Sequence, residues 1–213
     1  MSPYRRRLLF YLLCILLLGF FLLTAFIYFY PESGADQEFS EEIQEHQHPL
    51  LDNLMRGISV FGSFPYSFSM VVATAVLFLI FKFKKEALFI CLTGCSWLVS
   101  SSIKIIVDRP RPTEDLVRIV EEANRKSFPS GHVLFYVVFF GFLTLLMYHL
   151  KSIPKTLRAV IGIASLFLIF SVPVSRIYLG AHWFTDVLGG FLLGIACLLT
   201  LSFYYLKKPD QET

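Results

Sequence analysis

Six apolar runs, each close to the ~20 residues that carry a helix across the hydrocarbon core of a bilayer, leave this chain one kind of fold. They cover residues 8–29, 57–81, 87–108, 132–149, 159–176 and 182–206 of a 213-residue chain. In lipid each backbone N–H and C=O must find its partner within the protein, and a helix meets that demand segment by segment. The expected fold is therefore all-α: a bundle of six transmembrane helices in a single integral membrane domain, residues 1–213, with short amphipathic helices on its outer side. Composition agrees, because 55% hydrophobic and only 16% charged residues are far too apolar for a soluble domain of this length.

The first run follows Arg5, Arg6 and Arg7. It is longer than the apolar core of a secretory signal and no small-x-small site closes it, so it reads as an uncleaved span. Residues 30–56 then carry seven acids against one base, Arg56. Phe39, Ile43, Leu50, Leu51 and Leu54 recur there at helical spacing. That spacing predicts a helix on the membrane surface with Ser40 as its N-cap and Pro49 as a break; a docked connector is the default role and a lid the alternative. Leu116, Ile119, Val120 and Ala123 predict a second short amphipathic helix, within residues 113–128.

Loop charge sets the orientation. Eleven bases, Arg5, Arg6, Arg7, Lys82, Lys84, Lys85, Lys151, Lys155, Arg158, Lys207 and Lys208, fall on the side of both termini. By the positive-inside rule both termini are cytoplasmic, as in a multi-pass plasma-membrane protein. The bases are scattered between spans and line no common face, which excludes a nucleic-acid surface. Cys14, Cys91, Cys95 and Cys197 all lie in apolar runs without zinc-site company, so neither a metal, another cofactor nor a structural disulfide is expected. His46 and His48 read as residues of a solvated loop, and His149 as interfacial. Gly190 and Gly194 form a GxxxG stretch in the sixth run, suited to a homodimer face or to packing within the bundle.

With this layout, the outer ends of four spans collect the polar residues that are costly in lipid: Lys104 to Arg111, the stretch 129–132, Ser175 with Arg176, and His182 with Asp186. Asp186 follows His182 by four residues, so on a helix the carboxylate would hold the imidazole and orient it as a nucleophile. His132 has no acid at that spacing. It follows Ser130 and Gly131 where a helix start offers free N–H groups to phosphate oxygens, which suits a general acid for the leaving group. Lys104, Arg111 and Arg176 are the cations able to spread over a transferring phosphoryl group.

Lys104, six residues, Arg111-Pro112, then Pro129-Ser130-Gly131-His132, then Ser175-Arg176, five residues, His182, three residues, Asp186: this order resembles the three-part signature of the type 2 phosphatidic acid phosphatase family. The resemblance covers about residues 50–206 and implies a helical-bundle membrane phosphatase acting without metal through a phosphohistidine. It implies His182 as nucleophile, Asp186 as its partner, His132 as acid, and Lys104, Arg111 and Arg176 on the phosphate, with Ser130, Gly131 and Ser175 adding hydrogen bonds. The family spacing selects Arg111 over Arg109, as does the two-turn interval from Lys104, and Arg109 is left as a neighbour or rim contact. The expected substrate is a lipid phosphate: undecaprenyl diphosphate, phosphatidylglycerophosphate or phosphatidic acid. A vanadate haloperoxidase shares the pocket chemistry but is soluble. A membrane protein that binds or translocates lipid phosphates without turnover is the rival from another class.

Overall fold

The computed structural model describes residues 3–123 and 126–207. Lys208, counted above among the basic residues, and Asn124 and Arg125 of the predicted rim helix lie outside them. The described residues are helical with no strand: α1 (Pro3–Phe29), α2 (Gly34–Gln44), α3 (Pro49–Ser59), α4 (Tyr66–Ile80), α5 (Lys84–Thr93), α6 (Ser96–Val107), α7 (Gly131–His149), α8 (Lys155–Tyr178) and α9 (Phe184–Leu206). Five spans are long and apolar enough to cross a membrane, with α5 and α6 together forming one of them, Lys84–Val107. A sixth arises if the bent pair Pro49–Gly62 and Tyr66–Ile80, which meet at 56°, counts as one crossing.

The centre is α7. It is apolar all round, as a helix enclosed by others must be, and from Val133 to Phe140 every residue is buried. Helices α5, α6, α8 and α9 pack around it, while α1 leans on α9 from outside. The approach of α7 to α9 uses the GxxxG glycines: a Cβ on Gly190 would stand 2.6 Å from the Ser130 carbonyl oxygen, and one on Gly194 2.8 Å from Val137 Cβ. Both glycines therefore serve packing within the bundle, and neither presents an open dimer face.

Three local expectations are corrected. The second span is not straight: α3 passes into a 3₁₀ turn, Val60–Gly62, before α4 begins after Pro65. At 15 residues, α4 rises only ~22 Å. The outer-loop helix starts at Ser33, whose hydroxyl accepts from the Asp36 N–H at 3.2 Å. Ser40 lies inside that helix and donates to the Asp36 carbonyl. Pro49 does not simply break it but opens α3, capped by His48, whose Nδ1 accepts from the Leu50 N–H at 3.1 Å.

The rim helix predicted within residues 113–128 is absent among the described residues there. After one turn in which the Leu116 and Val117 N–H groups donate to the Thr113 carbonyl, the backbone groups bond to other parts of the chain. The Val120 and Glu121 N–H groups donate to Leu179 O, the Arg118 N–H to Gln44 Oε1, and Arg56 and Lys104 donate to the carbonyls of Val120 and Ser127. Fixed donors and acceptors from α2, α3, α6 and the α8–α9 turn thus replace the helical ladder.

Candidate active site

The site lies at the end of the bundle where α6 and α8 finish and α7 and α9 begin. A cavity of about 670 Å³ there is lined by Lys104, Arg111, His132 and His182 together with Gly62, Ser63, Ser100 and Gly131.

His182 precedes α9 by two residues, so it does not share a helix face with Asp186. The pairing comes from the N-terminal cap instead. Asp186 is the third residue of α9, and its Oδ2 accepts from the Trp183 N–H at 2.9 Å, folding the preceding segment back over the carboxylate. That places His182 Nδ1 3.4 Å from the same oxygen. Ser127 donates to Oδ2 as well, and Arg109 Nη1 reaches Oδ1 at 2.7 Å. Nε2, the other ring nitrogen, faces Arg111 Nη1 at 3.4 Å.

His182 is only 2% exposed. Burial, then the charge of Arg111, and then those of Lys104, Arg176 and Arg109, hold its imidazole well below the usual histidine range. The ring is therefore neutral at neutral pH, with a lone pair on one nitrogen. Arg111 is itself brought down to about 10 by burial and by its neighbour Arg176, so its guanidinium stays cationic.

His132 occupies the first turn of α7, its Nε2 3.1 Å from Ser63 Oγ. The bend of the second span makes this contact: a Cβ on Gly62 would lie 2.3 Å from His132 Cδ2, so only glycine lets the 3₁₀ turn lie against the ring. The stretch before α7 is pinned by Phe128, stacked on Phe20 of α1 with centroids 5.5 Å apart, and by the Ser130 N–H donating to the Asp186 carbonyl at 2.9 Å. The Ser130 hydroxyl is buried with no hydrogen-bond partner.

Lys104, in the last turn of α6, donates to the carbonyls of Lys126 and Ser127 at 2.5 and 2.9 Å. Arg111 donates to the Ala181 carbonyl beside His182. Lys104 and Arg111 are not two turns apart on one helix, since α6 ends at Val107 and Asp108 turns left-handed with φ 52°. Loop contacts set Arg111 instead. Arg176 is buried behind the cavity, its Nη1 donating to Ser59 Oγ at 2.5 Å and Glu121 Oε1 at 3.0 Å, while its Nε has no partner. Ser175 does not join the cluster: its hydroxyl donates to Met55 O at 2.7 Å and ties α8 to α3.

Arg109 is no rim contact. It is 2% exposed and sits between two carboxylates, Asp186 and Asp36, the latter on α2. Asp36, Ser59, Ser63, Glu121, Ser127 and Thr185 also contact the site residues, from positions that no motif marks. The one legible signal was that Asp36 shares its acidic loop with apolar residues at helical spacing.

Fold and site together define a multi-pass membrane protein with a cationic, histidine-bearing pocket at one end of a helical bundle. Residues 86–210 match the PAP2 superfamily, and the chain belongs to that family. Over 199 residues it is 31% identical to phosphatidylglycerophosphatase B of Bacillus subtilis, covering 92% of this chain and 94% of that protein. It is 28% identical over 187 residues to an undecaprenyl-diphosphatase of Sulfolobus acidocaldarius, covering 84% of each. The crystal structure of a transmembrane PAP2-type phosphatidylglycerolphosphate phosphatase from Bacillus subtilis superposes with a TM-score of 0.80 at 25% identity, covering 95% of this chain and 100% of that one. The family is one of phosphatases whose general mechanism passes through a phosphohistidine, and this chain is an enzyme of that class.

Proposed function

We propose that the chain removes a phosphate from a membrane lipid, either a phosphomonoester or the terminal phosphate of a diphosphate lipid, with His182 as nucleophile. The observation that carries this reading is the environment of His182: Nδ1 against the Asp186 carboxylate, Nε2 toward Arg111, and His132 on the same cavity. Nε2 attacks phosphorus, the P–O bond to the lipid breaks, and His132 protonates the departing oxygen. Water, deprotonated by His132, then cleaves the N–P bond and releases inorganic phosphate. Lys104, Arg111 and Arg176 stabilise the charge spread over the phosphoryl oxygens, and the Ser130 hydroxyl and the first N–H groups of α7 add hydrogen bonds.

In this reading no metal takes part, and the whole chain works as one membrane domain. Both termini are cytoplasmic and the pocket opens at the outer face; the excess of Lys and Arg at the opposite end of the bundle supports that orientation. A homodimer would need a surface other than Gly190 and Gly194, which α7 covers. Phosphatidylglycerophosphate and undecaprenyl diphosphate head the substrate candidates because the named relatives are phosphatases of those lipids.

The test is inorganic phosphate release by detergent-purified protein, with EDTA present, from phosphatidylglycerophosphate, undecaprenyl diphosphate and phosphatidic acid in parallel. Release from at least one lipid, undiminished by EDTA and absent in His182→Ala, is expected. Normal release by His182→Ala would overturn the assignment. No release from any lipid, with binding retained, would favour a lipid-phosphate binding or translocating protein.

A further inference from the structure

Asp186 is the carboxylate that supports His182, yet it is in direct contact with a buried guanidinium. A carboxylate neutralised by a single arginine would stabilise little positive charge on an adjacent imidazole. The structure answers this with a second carboxylate. Arg109 lies between Asp186 and Asp36, with Nη1 2.7 Å from Asp186 Oδ1 and Nη2 2.6 Å from Asp36 Oδ2. All three side chains are at most 1% exposed.

Every donor on Arg109 is engaged. Nε and Nη2 donate to the Pro31 carbonyl at 2.9 and 2.8 Å, Nη2 also to Asp36, and Nη1 to Thr185 Oγ1 and Asp186 at 2.7 Å each. No N–H is left for a phosphate. Asp36 is equally engaged, accepting from the Thr185 N–H at 2.8 Å, from Thr185 Oγ1 at 2.9 Å and from Ser33 Oγ at 2.8 Å. Two carboxylates against one guanidinium leave this cluster a formal charge of −1 at the Nδ1 side of His182.

We propose that Asp36 and Arg109 are positioning residues for the reaction: Arg109 fixes the Asp186 carboxylate, and Asp36 keeps that carboxylate from being neutralised by it. When Nε2 takes the phosphoryl group, the ring retains its Nδ1 proton and gains a positive charge, which the net negative cluster stabilises. α2 is thus part of the catalytic apparatus and more than a connector. The inference rests on the assignment of His182 as nucleophile.

Docking of α2 and support of Asp186 are separable, because α2 has a second anchor away from the cluster. Gln44 Nε2 donates to the carbonyls of Arg118 and Tyr178 at 2.8 Å each. Kinetics of Asp36→Asn, Asp36→Glu, Gln44→Ala and His182→Ala are compared with thermal midpoints in detergent. Outer partners that orient metal-bound histidines are worth on the order of 10–100-fold in activity, and the same scale applies by analogy to a group that orients a reacting histidine. Asp36→Asn is expected to lower kcat by about that factor, with KM within about threefold and Asp36→Glu recovering part of the rate. Gln44→Ala is expected to lower the midpoint while leaving kcat within about threefold.

Equal kcat losses in Asp36→Asn and Gln44→Ala would reduce Asp36 to a docking contact and overturn the proposal, as would unchanged kcat in Asp36→Asn. If Asp36→Asn does not fold, Thr185→Val, which removes the hydroxyl bridging Asp36 and Arg109, is judged by the same two criteria. An inactive His182→Ala beside a fully active Asp36→Asn rejects this inference alone, whereas an active His182→Ala rejects the nucleophile assignment beneath it.

Discussion

Arg111 has two effects on His182. In the proposed reaction its guanidinium grips the phosphate, and its charge, second only to burial, disfavours protonation of the imidazole. Protonation would remove the proposed nucleophile, and the shift is downward, so activity should persist as pH falls below the ordinary histidine value of ~6.5 and decline only through the lowered one. Removing a neighbouring positive charge eases protonation. Arg111→Ala should therefore move the acid limb of the kcat/KM profile to higher pH and, by losing a charge-assisted hydrogen bond, raise KM by about 10–100-fold. Arg111→Lys should keep the limb nearer its original position. A profile measured between pH 4 and 8 checks both, and an unmoved limb in Arg111→Ala would show that this charge does not reach the ring. That Lys104, Arg111, His132 and His182 gather at one cavity was legible in the sequence because His, Arg and Lys are rare and costly at span ends, and their spacing follows one linear pattern. Asp36, Arg109, Ser127 and Thr185 were not. They form one buried cluster from four separate stretches, and nothing in local spacing brings an acid in an outer loop to a carboxylate on α9.

Helix α7 carries His132, and its height against α9 is set by two glycines. A Cβ on Gly190 would strike the Ser130 carbonyl, which is backbone and has nowhere to rotate, whereas one on Gly194 meets the Val137 side chain. Gly190→Ala should therefore push α7 outward at the turn that bears the site. Overpacking of this kind costs about 1–3 kcal/mol, read as a lower thermal midpoint, with a fall in kcat because His132 moves with its helix. Gly194→Ala should lower the midpoint with a smaller effect on kcat, since the strain falls more than one turn further along. Equal kcat losses in the two variants would contradict this account. Five membrane-length apolar helices were legible, since a run of ~20 apolar residues has few alternatives in lipid. Breaks within them were not, because the 3₁₀ turn at residues 60–62 answers to the ring of His132, a contact distant in sequence. The described residues within 113–128 do not form the predicted helix for the same reason: helical periodicity was present, but beyond the single turn at Thr113 to Val117 tertiary donors and acceptors claimed the backbone.

Assembly of the pocket depends on chain direction through the bilayer. α6 and α8 finish, and α7 and α9 start, at the same end of the bundle, so the connection from α6 to α7 and that from α8 to α9 meet there although they are far apart in sequence. Helix starts bring N–H groups to that end, and the last turns of α6 and α8 bring Lys104 and Arg176. The opposite end carries Lys82, Lys84, Lys85, Lys151, Lys155 and Arg158, which is the asymmetry expected of a cytoplasmic face. The orientation is testable without reference to activity. With the four native cysteines replaced by serine, Glu42→Cys on α2 and Ser152→Cys in the turn before α8 place single thiols at the two ends, both at exposed positions. A membrane-impermeant maleimide added to intact cells should label the first and spare the second until the membrane is opened. The reverse pattern would put the pocket on the cytoplasmic side, and with it the lipid pool the enzyme serves. The expected pattern limits the enzyme to lipid phosphates of the outer leaflet, so a substrate made in the cytoplasm must be translocated before its phosphate reaches His182.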